Sequence, residues 1–193
     1  MSDFVFYLTL GWNHIISKDA LDHQLFVLAL ASVYTLSDVK QVLILVTAFT
    51  IGHSLTLALT VFDVIRVSDT WVEFLIPCTI FITAFNNLLR MDKPGSSGHI
   101  NYYLALFFGL IHGMGFANAI RIMLAHDQSV GFSLFSFNVG LEIGQIAVVA
   151  IILILSFLFL RGLKVSGRDW TFFLSSAVFA LSVKMAAERL PLV

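Results

Sequence analysis

The sequence predicts an all-α bundle of membrane-spanning helices, on three observations. Hydrophobic residues make up 59% of the 193-residue chain, charged residues only 12%, and mean hydropathy is +0.93. Soluble domains average about 45–50% apolar and about 25% charged residues. Polar punctuation cuts the chain into apolar runs of roughly the ~20 residues that a span requires. The chain is long enough for about six such spans with short loops, in a single membrane-embedded domain over residues 1–193. A net charge of −1 gives no basic surface for nucleic acid. The lone Cys78 cannot close an intrachain disulfide.

Residues 1–16, "MSDFVFYLTLGWNHII", lack a basic n-region and a small-residue cleavage site, so they do not read as a signal peptide. They are too few to cross a bilayer alone. They read as a short interfacial or re-entrant helix, with Tyr7 and Trp12 suited to the headgroup region. The first span covers Ala20–Leu36 and "SDVK" ends it. The second covers Gln41–Phe62, before "DVIRVSD". The third covers Thr70–Leu89, with a kink expected at Pro77, which lacks an amide donor. "RMDKPGSSGHIN" at 90–101 clusters Pro, Gly and Ser and reads as a loop holding a solvated His99. The fourth span covers Tyr102–Leu124, and "AHDQSVG", with a solvated His126, follows it. The fifth covers Phe132–Leu160, the basic loop "RGLKVSGRD" comes next, and the sixth covers Trp170–Leu190. No internal repeat is visible.

With six spans, Lys18, Arg66, Arg121, Lys184 and Arg189 share one side. Lys40, Arg90, Lys93, Arg161, Lys164 and Arg168 share the other. The second set clusters in two short loops, which places those loops in the cytoplasm and both termini outside.

Ionisable groups inside a membrane are costly and mark function. His53 and His112 lie in the second and fourth spans, and Glu142 in the fifth. His14, Asp22 and His23 stand at the start of the first. At 1.5 Å rise per residue all fall in the central-to-outer layer, where four helices can converge. Asn138, Glu142 and Gln145 recur at i, i+4, i+7 on one helix face, and Thr47, Thr50, His53 and Ser54 make a second polar stripe. Gly109, Gly113 and Gly115 around His112 let helix backbones approach closely.

Imidazole with carboxylate is ligand chemistry for a divalent transition metal such as Ni, Co or Zn. The candidate ligands are His14, Asp22, His23, His53, His112 and Glu142, supported by Asn138, Gln145, Thr50 and Ser54. The bland reading makes His53 a strut bonded to a helix backbone or to Glu142.

"HIISKDALDHQLF", "TAFTIGHSLTLAL", "FGLIHGMGFA" and "FNVGLEIGQ" resemble, in order, four blocks of the HupE/UreJ family of small bacterial membrane proteins. The resemblance covers roughly residues 11–146. It implies a protein of the bacterial inner membrane linked to nickel supply, with nickel or cobalt transport as the expected activity. The matching positions are His14, Asp22, His23, His53, His112, Asn138, Glu142 and Gln145. Seven residues separate His14 from Asp22, and Ala20 follows Asp19 where the His-x4-Asp-His motif of larger nickel/cobalt permeases has histidine. The chain therefore resembles the divergent branch.

Three functions stay open. The first is metal transport or a transport accessory role. The second is an intramembrane zinc hydrolase acting on a lipid or peptide, with Asp22 or Glu142 as general base. Such a site would be similar to those of alkaline ceramidases. The third is a structural or assembly protein. The bilayer and a metal ion are the expected partners, with a homo-oligomer or accessory membrane protein as a further candidate. On the inner side of His112 the few candidate ligands are Met114, Met123 and Cys78, so the sequence traces no exit route.

Overall fold

The computed structural model describes residues 3–91, 98–124 and 129–191, so His126 lies outside the described residues. They form eight helices: α1 (Asp3–Ile16), α2 (Leu21–Ala31), α3 (Val39–Val61), α4 (Asp69–Leu89), α5 (Gly98–Gly115), α6 (Ala117–Leu124), α7 (Val130–Phe157) and α8 (Gly167–Glu188). The result is an all-α polytopic membrane bundle.

The expected count of about six spans is corrected. Among the described residues four helices are long and apolar enough to cross a membrane: α3 with its preceding turn, α4, α7 with its last turn, and α8. The expected first span shrinks to the 11 residues of α2. The expected fourth breaks at Phe116 into α5 and α6. Residues 98–101, expected in a loop, are the first turn of α5, so His99 stands on a helix. α4 runs uninterrupted through Pro77.

Glycine sets the two closest helix pairs. A β-carbon on Gly11 of α1 would lie 1.9 Å from the Phe137 carbonyl oxygen of α7, and one on Gly140 would lie 2.0 Å from that of Leu8. The rings of Phe4 and Phe132 meet at one end of this pair, and Ile15 meets Gly144 further along. α1 and α7 therefore run in the same direction with backbones in contact, as small residues permit in membranes. α3 and α5 pair likewise. A β-carbon on Gly52 would lie 2.3 Å from the Leu106 oxygen, one on Gly109 2.2 Å from that of Phe49, and one on Gly113 2.1 Å from that of His53. The structure thus uses one pairing geometry twice, a repeat that the sequence does not display.

α1 and α2 run in succession through the bundle, interrupted by a 3-10 turn at Lys18–Ala20. Such a break frees carbonyls that need partners. Gln24 supplies them, donating from Nε2 to the oxygens of Ile15 (3.0 Å) and Ser17 (2.9 Å). The far end of α2 meets the C-terminus of α4 and the N-terminus of α8. Asn87 Nδ2 donates to the Ala29 oxygen at 2.7 Å, and Thr171 Oγ1 donates to that of Ser32 at 3.1 Å. This end is called lower, and the end where α1 and α7 begin, upper. Two hydrophobic clusters fill the bundle. One is centred on Phe26, Phe49, Ile80 and Leu153, the other on Ile15, Leu57, Ile120 and Leu141.

The turn that follows α3 at the upper side holds Asp63, whose φ of 61° is left-handed. Hydrogen bonds from Arg66, with its charge, hold the Asp63 carboxyl below its ordinary value. That pairing stabilises the turn fully above the ordinary carboxylate range and is lost as pH falls through the lowered value.

Candidate metal centre

Three successive helices deliver the central histidines. His14 ends α1, His23 lies in the first turn of α2, and His53 sits in the upper half of α3. One ligand nitrogen from each lies within 4.8 Å of the others. The ring centroids of His14 and His23 are 4.6 Å apart, and those of His53 are 5.8 and 5.9 Å from the two. His112, near the upper end of α5, joins with its ring 5.1 Å from that of His23. His53 and His112 are 0% and 1% exposed and His23 is 4%.

Hydrogen bonding decides which nitrogens are free. The Nδ1–H of His23 donates to Asp22 Oδ1 at 3.0 Å, because a carboxylate only accepts. The Nδ1–H of His112 donates to the Phe108 carbonyl at 2.8 Å. Each thereby presents a bare Nε2 lone pair, the arrangement in which an outer partner fixes a metal-ligating histidine. The Nε2 atoms of His14, His23 and His112 and both ring nitrogens of His53 are buried without hydrogen-bond partners. Buried polar groups are nearly always paired, so a cluster of orphans in one place calls for an ion or water. A tetrahedral metal with bonds of about 2.0–2.1 Å needs nitrogens ~3.3 Å apart, within reach of small side-chain adjustments.

A cavity of about 490 Å³ leads to this cluster from the upper side. Asn13, His14, Asp22, His23, Glu73 and Arg189 are among the residues that line it. Arg189 Nη1 lies 3.6 Å from Asp22 Oδ2, so the C-terminal end of α8 supplies the counter-charge of Asp22. Sequence reading missed Arg189 as a site residue, since only the fold brings residue 189 to residue 22. It also placed Met123 on the inner side of His112. α5 and α6 climb towards the upper side, and Met123 lines the upper cavity.

The other expected residues divide. Thr50 Oγ1 donates to Gln145 Oε1 at 2.9 Å. Asn138 flanks His53, with its Nδ2 bonded to the Leu134 oxygen and its Oδ1 unpaired. Ser54 Oγ turns back onto the Thr50 oxygen of its own helix at 2.6 Å. Glu142 is not brought to the histidines. Its Oε1 accepts from Thr47 Oγ1 at 2.6 Å, and Thr47 is exposed on the outer face of α3. That bond offsets part of its cost in lipid. Glu142→Gln is therefore expected to leave stoichiometric cobalt binding unchanged in equilibrium dialysis. A drop comparable to that of a histidine variant would place Glu142 in the site.

These features define a multi-pass membrane protein with a buried histidine cluster able to hold a divalent metal. The chain belongs to the HupE/UreJ family, whose model, described as HupE / UreJ protein, matches residues 1–187. No curated protein and no solved structure matches it.

Proposed function

We propose that this protein binds a divalent transition metal at His14, His23, His53 and His112 and moves it across the bacterial inner membrane, with nickel or cobalt as cargo. The observation that carries this reading is the set of unpaired imidazole nitrogens at the end of a cavity open to one side. Asp22 orients His23. Both termini lie on the outer side, so the metal arrives from outside. The histidines sit where α1 breaks into α2 and near where α5 breaks into α6, beside the four long helices. Breaks of this kind recur where membrane proteins bind ions near the midplane.

The hydrolase reading has one observation in its favour, three histidines with an open approach. Neither expected general base serves it. Asp22 is held by His23 and Arg189, and Glu142 faces away from the histidines. The strut reading has one candidate partner for His53, the neighbouring Asn138, but neither a His53 ring nitrogen nor Asn138 Oδ1 reaches hydrogen-bond geometry.

The test is cobalt or nickel uptake into proteoliposomes containing an internal metal-quenched dye. Wild type is expected to quench the dye and His53→Ala is not. Equal, protein-independent quenching in both would overturn transport. Asp22→Asn is expected to weaken cobalt binding by about 10–100-fold, the usual loss when a ligand's outer partner is removed. Unchanged affinity in calorimetry would remove Asp22 from the site.

A further inference from the structure

A transporter also needs a way out, and the cavity above the histidines stops at them. Directly below lies a layer of three phenylalanines. Phe26 stacks on Phe49 with centroids 4.8 Å apart, and Phe108 meets Phe26 edge-on at 5.9 Å. They are 1%, 1% and 4% exposed. Each stands one helical turn from a site histidine: Phe26 from His23, Phe49 from His53, and Phe108 from His112. The rings of Phe26 and Phe49 lie 5.4 and 5.1 Å from that of His112, whose Nδ1–H is bonded to the Phe108 carbonyl.

Beneath the layer is a second cavity of about 120 Å³. Phe26 and Phe108 form part of its wall, and Tyr34, Thr83, Asn86 and Asn87 give it polar groups towards the lower end. A dry aromatic layer thus separates two spaces, and apolar constrictions of this kind block ions by excluding water.

One helix borders both spaces. Asp22 and His23 of α2 line the upper cavity, and Phe26 and Leu30 line the lower. Neither Ser17 before the 3-10 turn nor Ala20 before α2 caps its helix with a side chain, and the first-turn amide of His23 is held only by the adjacent Asp22 Oδ1 at 2.8 Å. Its length of 11 residues makes it a short rigid body bounded by a break above and a turn below.

We infer that the Phe26–Phe49–Phe108 layer is the inner gate for the cation held at the histidines, that the lower cavity is its exit chamber, and that tilting of α2 opens the one as it closes the other. This rests on the transport reading. On it, the structure is the outward-open state. A cation leaving the histidines passes the parted rings and is received by the hydroxyl and amide oxygens of Tyr34, Thr83, Asn86 and Asn87.

The test uses the full chain with Cys78→Ala and Asn13→Cys, which puts a thiol in the upper cavity. Sealed vesicles of each orientation are treated with a charged, impermeant thiol reagent. With the gate intact, the thiol reacts from the upper face only. With Phe26→Ala and Phe108→Ala added, it is expected to react from both faces, and downhill cobalt leak is expected to rise severalfold. The Phe26→Leu, Phe108→Leu pair keeps an apolar layer and should keep the reaction one-sided. One-sided reaction in the alanine pair, with wild type still moving cobalt, overturns the gate and leaves transport standing. Two-sided reaction in the alanine pair, with no cobalt movement by wild type, supports the barrier and overturns transport instead. If the alanine pair does not fold, Thr83→Cys in the Cys78→Ala chain tests the exit. A bulky adduct there is expected to stop uptake without reducing cobalt binding. Full uptake with the adduct in place overturns the exit chamber.

Discussion

His53→Leu is expected to abolish high-affinity cobalt or nickel binding while leaving the metal-free bundle as stable as wild type or more so. His53 is fully buried, and neither ring nitrogen has a partner. An unsatisfied buried polar group costs about 1–3 kcal/mol, and an apolar side chain of similar size removes that cost. Wild type recovers it by binding metal. A ligand at a hundred times its dissociation constant stabilises the folded state by about 2.7 kcal/mol, and this increment should vanish in the variant. The loss of affinity should be at least about 100-fold, since removing even an outer partner of a ligand costs 10–100-fold. Thermal unfolding in detergent, with and without cobalt, separates the readings. A metal-free His53→Leu protein that melts well below wild type would show His53 to be a structural strut. The same linkage makes binding weaken as pH falls, because protons and metal compete for the same imidazole lone pairs.

The second large effect is expected at the helix crossings. Gly11→Ala, Gly52→Ala, Gly109→Ala and Gly140→Ala would each place a β-carbon 1.9–2.3 Å from a backbone oxygen of the partner helix. Backbone cannot rotate away as a side chain can, so the helices must separate. Overpacking of a well-fitted contact costs about 1–3 kcal/mol, occasionally more, and these sites belong at the upper end. Parting α3 from α5 also moves His53 from the histidines, so Gly52→Ala should lose metal affinity along with stability. Gly131 is the control, since a β-carbon there meets nothing within 4 Å. Gly131→Ala should be neutral or stabilise α7 by up to about 1 kcal/mol through helix propensity. Melting temperatures that fall equally for Gly131→Ala and Gly52→Ala would contradict the close crossings.

The contrast between His53 and Glu142 shows what the sequence could tell. Both are ionisable groups in apolar runs, and both stood out for that reason. Hydropathy cannot give the direction in which a side chain points. His53 faces the bundle axis, whereas Glu142 faces a threonine at the outer surface of α3. The two polar stripes were legible and do meet, through Thr47 with Glu142 and Thr50 with Gln145.

The four long helices were also legible, with ends shifted by only a few residues. The broken ones were not. In the first expected span the apolar run overstates the helix, because it stays apolar past Ala31 while the backbone turns. The break at Phe116 falls in "GMGFA", where glycine served equally well as a sign of helix contact. The phenylalanine layer and Arg189 were invisible for a different reason. Phenylalanine in a greasy helix carries no local signal of a gate, and the Arg189–Asp22 pair joins opposite ends of the chain.

The central claim is that His14, His23, His53 and His112 form one metal centre. X-ray absorption at the cobalt edge of protein loaded with one equivalent of metal tests it most directly. Three or four nitrogen ligands with the outer-shell scattering of imidazole rings, falling by one ring in His14→Ala and in His53→Ala, is the result expected. A first shell of oxygen alone, or imidazole scattering unchanged in both variants, would contradict it.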